Sequence, residues 1–477
     1  MSVMGLGIGL LTLLCAGFGV SLLLLRGSIA HNLLVCGCLS WIFGTGTVSL
    51  LLWVGGFFLS GIGLQSLVIA AVLTLALLGW KYRGKTRFTF PWPTRAVEWL
   101  LAGVIALELS AMMLLSLGQP LGWDGSFNWE IKARYAFLNH GVIPPSYYSS
   151  ISQTDSHPEY PLFIPFTQLW LDLWMGQAHQ FWEKAVIPIF NAAGVIILSL
   201  MGARLSGRRW VGGLAAALLF FVPYLADGVG GITSGYLDFP LGALYLLAIG
   251  YLLLWERSGN PAYFRLYVAS LALLPWLKRE GAILWLVAAV FGAGIIFWRK
   301  AGWRRLLGLL PGLLVIVAWQ LYLRALGAAP AHDFLPVSLV TLTSHLSRLW
   351  PTCGALFWEM SQTKRWSIVW LFAALAFIYR MLQSRDLGSF LLGSAIIAPL
   401  LLYSSTYLFS AWPNYLVHIE ASLPRLLLQL TPLAWLAIAL GLTPPRGETR
   451  TCKSSEIVPN EEKTMELPLA AEEPVSL

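Results

Sequence analysis

Charge is what this chain has least of. Of its 477 residues only 11% are Asp, Glu, Lys or Arg, against about 25% in an ordinary soluble domain, and the mean hydropathy is +0.70. A water-soluble globule is thereby excluded. Cysteine is scarce as well: there are 5, with Cys15, Cys36 and Cys38 inside apolar runs, Cys353 in a loop and Cys452 in the tail. No pair shares an aqueous compartment in an obvious way, so a disulfide framework is not expected. Cys36 and Cys38 are spaced C-x-C, not C-x-x-C, and in an apolar helix they read as small buried residues. No G-x-x-x-x-G-K-[ST] segment occurs, which argues against direct nucleotide-driven work. A cleavable signal peptide is not evident, because too little charge precedes Ala16 and the first apolar run continues well beyond a signal core.

What fills the chain instead is hydrophobic surface. Some 57% of residues are hydrophobic, including 23 Trp, 24 Phe and 16 Tyr. Apolar runs of spanning length recur near 3–25, 31–56, 60–79, 96–118, 184–203, 210–226, 237–255, 262–277, 281–298, 305–323, 366–379, 387–408 and 424–442. The expected fold is therefore all-α, a polytopic transmembrane bundle of about thirteen helices. The net charge of +8 does not point to nucleic acid, because the basic residues lie in short clusters between the apolar runs, where topology signals sit.

Those clusters alternate along the chain: Arg26; Lys81 to Arg95; Arg204, Arg208 and Arg209; Arg257 and Arg265; Arg299 to Arg305; Arg380 and Arg385; and Arg446, Arg450, Lys453 and Lys463. They hold 21 of the 31 basic residues. By the positive-inside rule they are cytoplasmic, which puts the amino terminus outside and the carboxyl tail inside. Long loops then fall on the outer face near 119–182, 324–365 and 409–423, and long structured loops are where function is expected. The organisation reads as N-terminal transmembrane helices with a basic cytoplasmic loop over 1–95, a transmembrane region with the outer loops over 96–442, and a disordered Glu-, Pro- and Ser-rich tail over 443–477.

The first outer loop opens with Trp123-Asp124 directly after a helix ending near Leu117, so an acid emerges at the membrane surface. Phe127, Ile131, Tyr135 and Leu138 follow helical spacing, with Glu130 and Arg134 at i, i+4 on another face. An amphipathic helix lying on the interface is expected here. Taken alone, Asp124 reads equally well as a helix-end acid and Glu130 with Arg134 as a surface pair. Further on, Ser156-His157-Pro158-Glu159-Tyr160-Pro161-Leu162 places proline on either side of Glu159 and Tyr160, which predicts an extended, fixed backbone before the next apolar run.

These residues resemble a known pattern. Trp123-Asp124, then Trp129-Glu130-Ile131-Lys132-Ala133-Arg134, then His157-Pro158-Glu159-Tyr160-Pro161-Leu162 is similar to the first periplasmic loop of GT-C glycosyltransferases, the superfamily of the protein O-mannosyltransferases and the lipid A aminoarabinose transferase. Gly235-Tyr236-Leu237-Asp238-Phe239-Pro240, Lys278-Arg279-Glu280-Gly281 and Ser422-Leu423-Pro424-Arg425-Leu426-Leu427 resemble three further elements of that family, in family order. The matches cover about residues 96–442, and the first three helices have no counterpart in them. The resemblance implies that Asp124 matches the catalytic acid and Tyr160-Pro161-Leu162 the turn of the catalytic loop. Where family members often carry a second acid, this chain has Gly125, which weakens any paired-carboxylate or metal role there.

The chemistry implied is transfer of a sugar from a polyprenyl-phosphate donor to an acceptor hydroxyl outside the cytoplasmic membrane, with inversion at the anomeric carbon. Such a reaction needs a base, positive charge for the departing phosphate, and a greasy groove. Asp124 is the candidate base. Lys278, Arg279 and Glu280 lie between two apolar runs, where each charge costs on the order of 2.5–3.5 kcal/mol at membrane depth. Their bland reading is an interfacial turn with snorkelling side chains; the functional one is recognition of a phosphate by Lys278 and Arg279, with Arg425 of the last run alongside. Glu130, Lys132, Arg134, His157, Glu159, Tyr160, Asp238 and Glu280 complete the candidate substrate-binding set. Asp227 and Asp238 flank a glycine-rich outer turn and suit sugar hydroxyls or a plain helix-end role. His157, Glu159, His418 and Glu420 carry the right atoms for a metal, but structural hydrogen bonding is the stronger reading, and no metal or other cofactor is expected. Glu108, in mid-helix, is a functional candidate by position. The expected partners are the lipid-linked donor, a hydroxyl acceptor and membrane lipid. A transporter or lipid flippase, or a surface-polysaccharide ligase or polymerase, fits the same composition; no internal repeat of the transporter kind is found.

Overall fold

The computed structural model describes residues 3–26, 30–83, 87–328, 333–383 and 386–443. The expected disordered tail falls, beyond Thr443, outside the described residues, as do Lys85, Arg385, Cys452 and the tail's basic residues. Each apolar run is helical. The α-helices of eight residues or more are α1 (Val3–Leu25), α2 (Leu33–Gly55), α3 (Gly61–Tyr82), α4 (Ala96–Gly118), α5 (Ile131–Leu138), α6 (Phe163–Met175), α7 (Val186–Ser206), α8 (Arg209–Leu219), α9 (Asp238–Ser258), α10 (Pro261–Leu277), α11 (Gly281–Trp298), α12 (Leu310–Ala325), α13 (Leu349–Met360), α14 (Val369–Gln383), α15 (Leu387–Thr406) and α16 (Tyr415–Gly441). Among the described residues the sheet content is one short parallel pair, β1 (Ala30–Asn32) with β2 (Arg87–Thr89).

Ten of the described helices are long and apolar enough to cross a membrane. The longest unbroken helices in the runs at 210–226, 262–277 and 366–379 have 11, 17 and 15 residues. The expected all-α bundle is thus present, with ten rather than about thirteen helices of spanning length. The last helix also starts earlier than hydropathy suggests. Asn414 caps it by accepting from the Leu416 amide at 3.0 Å, so polar His418 and Glu420 lie inside the helix and Arg425 sits in its interior.

Helix α9 forms the axis of the molecule: every residue from Asp238 to Trp255 is buried. It is flanked by α7, α10 and α16, while α3, α4 and α12 stand at the rim with few buried residues. The first three helices belong to the same compact unit, Met1–Thr443. Trp170 donates to the Thr12 hydroxyl at 2.8 Å and Trp276 to the Ser49 hydroxyl at 2.9 Å, tying α1 and α2 to α6 and α10.

Close backbone approach is what lets α1 and α2 pack in a medium where hydrophobicity alone gives no drive. A Cβ on Gly17 would lie 1.7 Å from the Ser40 carbonyl, and one on Gly44 2.0 Å from that of Leu13. Gly44→Val is expected to force the pair apart at a cost of about 1–3 kcal/mol, read as a lower melting temperature in detergent. An unchanged melt would mean that the contact carries no stability.

Candidate functional site

The three family-like elements beyond the first loop meet at one end of the bundle, and glycines set the meeting. A Cβ on Gly242 would lie 2.4 Å from the Gln429 carbonyl, so α9 and α16 touch there. One turn back along each helix stand Asp238 and Arg425. The Arg425 Nε donates to Asp238 Oδ2 at 3.0 Å, and Gln429 Nε2 to Oδ1 at 2.7 Å. A Cβ on Gly281 would lie 1.9 Å from the Leu274 carbonyl, and this tight α10–α11 junction delivers Lys278 Nζ to Asp238 Oδ1 at 2.6 Å. Asp238 and Lys278 are both fully buried.

Asp124 completes the line from the other side. It begins a π-helical stretch, Asp124–Glu130, that runs straight into α5; such distortions recur at functional sites. The preceding segment is pinned where the Gly122 amide donates to the Ser234 carbonyl at 2.8 Å. Asp124 Oδ2 then accepts from Arg425 Nη2. One guanidinium therefore bridges two carboxylates, and the chain Asp124, Arg425, Asp238, Lys278 and Glu280 continues through Lys278 Nζ to Glu280 Oε1 at 3.4 Å. Burial raises the Asp124 carboxyl above its ordinary range, and the charges of Arg425 and Lys278 partly offset this.

The His157–Tyr160 segment closes one wall, but it is a turn and not extended. The Tyr160 amide donates back to the His157 carbonyl at 3.0 Å, and His157 has φ of 46°; Pro158 at the second position suits a turn. Lys132 explains why the turn holds. Its buried Nζ donates to the carbonyls of His157, at 2.6 Å, and Tyr160, at 3.4 Å, and burial pushes its pKa down to about 7. Tyr160 donates to Glu280 Oε1 at 3.4 Å. Glu159 Oε1 pairs with His157 Nδ1 at 3.1 Å and Arg279 Nη1 at 3.3 Å, while Trp319 donates to the Glu159 carbonyl at 2.8 Å.

Burial pushes the Glu159 carboxyl up, but His157 and Arg279 outweigh it and hold the carboxyl below its ordinary range. A carboxylate lowered on folding stabilises the fold above its unfolded pKa, and that contribution is lost as pH falls through the folded value. Acidification below the ordinary carboxylate range is expected to loosen the turn, read as a lower protection factor at the Tyr160 amide once the slower intrinsic exchange in acid is divided out, and Glu159→Gln should remove that pH dependence. An unchanged protection factor in acid would contradict the pairing.

These groups line a cavity of about 600 Å³. Its wall includes His157, Tyr160, Asp238, Lys278, Arg279, Glu280, His418 and Arg425, with Phe334, Tyr403, Tyr407 and Trp412 supplying aromatic surface. Lys278 is spent on two carboxylates, so the cations with exposed surface are Arg279, at 33%, and Arg425, at 21%. Arg279 also lies over the Tyr160 and Phe334 rings. Glu280 keeps Oε2 buried without a hydrogen-bond partner among the described residues. Asp124 is not in the lining: it stands behind Arg425, 5% exposed.

Other sequence candidates lie elsewhere. Glu130 accepts from Gln180 at 2.8 Å, Arg134, Asp227 and Glu420 are exposed, and none of the four borders the cavity. Phe127 and Leu138 are exposed too, while Asn128, Trp129, Lys132, Ala133 and Ala136 form the buried face. The π stretch changes the helical period, so the expected apolar face is displaced. His418 hydrogen-bonds Ser410 at 2.9 Å and stacks on Trp412; among the described residues no group of three or more His, Cys, Asp or Glu side chains is placed to hold a metal. Glu108 is half-buried on α4, with Oε2 lacking a hydrogen-bond partner among the described residues. Sequence reasoning missed Gln429 and Tyr403, which donates to Gln429 Oε1 at 2.7 Å. A polar residue one turn after Arg425 in an apolar helix was the available signal.

No family model, curated protein or solved structure matches the chain.

Proposed function

We propose that the protein is an integral-membrane glycosyltransferase of GT-C type that moves a sugar from a polyprenyl phosphate to an acceptor hydroxyl. The observation that carries this reading is the convergence of Asp124, Asp238, Lys278 and Arg425, drawn from four separate family-like segments, on one cluster beside one cavity. Arg279 and Arg425 face the cavity with exposed guanidinium surface, suited to a phosphate as negative charge develops on it. The acceptor oxygen bonds to C1 of the sugar and the C1–O bond to phosphate breaks. Its electron pair leaves on the phosphate, and the hydroxyl proton passes to the Asp124 carboxylate.

For Asp124 to take that proton, Arg425 must move aside or the acceptor must enter between them. Transfer from the face opposite the leaving group inverts the anomeric carbon. On this reading the cavity opens on the outer face of the cytoplasmic membrane, with the amino terminus outside and the carboxyl terminus inside, following the basic residues. No cofactor enters the scheme.

Arg279→Ala is expected to weaken binding of a polyprenyl phosphate to the purified protein by about tenfold or more, the scale of one charged hydrogen bond. A titration followed by thermal shift checks this, and equal binding by the variant would remove Arg279 from phosphate recognition. One observation favours a second reading. His418 and Arg425 line the same cavity from one helix, and an essential arginine and histidine close together, in place of Asp124, would favour a surface-polysaccharide ligase or polymerase. Loss of transfer in His418→Ala with full transfer retained in Asp124→Asn would select that reading.

A further inference from the structure

A second cavity lies at the other end of the bundle, where nothing in the proposed chemistry operates. It has a volume of about 710 Å³ and runs between the first halves of α2 and α4 and the second half of α7. Helix α4 packs chiefly on α8, which leaves its Leu101, Ile105 and Leu109 facing this space. Ile196 and Leu200 of α7 form the opposite row. All five are only partly buried although apolar, and each row repeats at one-turn spacing, so the trench runs along the helix axes.

The trench ends in cations. Arg204, in the last turn of α7, and Arg209, at the start of α8, line it and are exposed. Arg209 Nη1 donates to the Trp92 carbonyl at 2.8 Å and Arg204 to the Tyr263 hydroxyl. A guanidinium has five N–H donors, so each retains donors for a further acceptor. The one carboxylate in the lining, Glu98, accepts from the Thr94 amide at 2.8 Å and its hydroxyl at 3.2 Å. The mouth therefore carries a net positive charge.

An apolar trench along the membrane normal, closed by two arginines, matches an amphiphile with an anionic head and a hydrocarbon tail. A soluble anion has no use for the trench, and an apolar helix has none for the arginines. The geometry points to a binding site for an anionic phospholipid, its phosphate held by Arg204 and Arg209 and one acyl chain lying between α4 and α7. Basic pockets between transmembrane helices bind anionic headgroups for this reason. The site is independent of the glycosyltransferase reading, because it shares no residue with the Asp238 cavity.

The test uses the full chain, purified in detergent and stripped of lipid, with phosphatidylglycerol, phosphatidylcholine or inorganic phosphate added. Melting and native mass spectrometry are the readouts. Phosphatidylglycerol alone should raise the melting temperature with concentration and remain bound in the mass spectrum. The paired Arg204→Gln and Arg209→Gln variant should need about tenfold more lipid or worse. Ala106→Trp fills the trench and leaves both arginines in place, so it should abolish retention even if the arginine variant fails to fold. Equal shifts from phosphatidylcholine, a full shift from phosphate alone, or wild-type retention in Ala106→Trp would each overturn the proposal.

Discussion

Replacing Asp238 with alanine is expected to cost more stability than any other single change at the site. Its carboxylate is fully buried and accepts from Lys278, Gln429 and Arg425. Its loss strands the ammonium of fully buried Lys278, leaving it Glu280 Oε1 at 3.4 Å among the described residues. Breaking a buried pair from one side costs about 3–5 kcal/mol, because the remaining charge stays desolvated. Against a total stability of roughly 5–15 kcal/mol, that is enough to lower the melting temperature sharply or to prevent recovery of folded protein. Adding Lys278→Met removes the stranded charge and should restore part of the loss. A single Asp238→Ala variant that melts like the wild type would show that the cluster is not held together through this carboxylate.

The second large effect is the one the proposed glycosyl transfer predicts. Asp124→Asn keeps the shape of the side chain and an acceptor oxygen for Arg425, which stays paired with Asp238. Folding and donor binding should therefore survive. Under the proposed mechanism what disappears is the proton acceptor, and general-base catalysis contributes typically 10²–10⁴-fold, so sugar transfer should fall by about that factor. Measured transfer rates for the two proteins at equal folded concentration decide it, and a loss of less than about threefold would remove Asp124 as base. Because Asp124 stands behind Arg425, this is the sharper of the two tests: a carboxylate that only positions Arg425 would lose donor affinity before it lost rate.

The bundle was legible because hydropathy is read residue by residue, and runs such as 3–25 and 96–118 coincide with α1 and α4 almost to the residue. Helix ends governed by caps were not. Polar His418 and Glu420 hide the first turns of α16, and only Asn414 as an N-cap hints that the helix begins at Tyr415. The cluster was half legible. Charges in apolar surroundings marked Lys278, Arg279, Glu280 and Arg425, since each is costly there. Their pairing was not, because it depends on where α9 crosses α16, and that depends on Gly242 meeting the Gln429 backbone.

The same limit explains Lys278, expected at a phosphate and found neutralised by Asp238. Lys132, expected to touch substrate, clamps the His157–Tyr160 turn through two carbonyls. Periodicity failed at Phe127 because a π stretch is silent in an apolar pattern.

The central claim is that the Asp238 cavity takes a polyprenyl-phosphate sugar and transfers the sugar with inversion. Its most direct test is incubation of the purified protein with a panel of polyprenyl-phosphate sugars and a hydroxyl acceptor, with release of polyprenyl phosphate and the anomeric configuration of the product measured together. The account predicts that one donor is consumed and that the product carries the opposite anomeric configuration. A folded protein that consumes no donor, or one that yields a product of retained configuration, would contradict it.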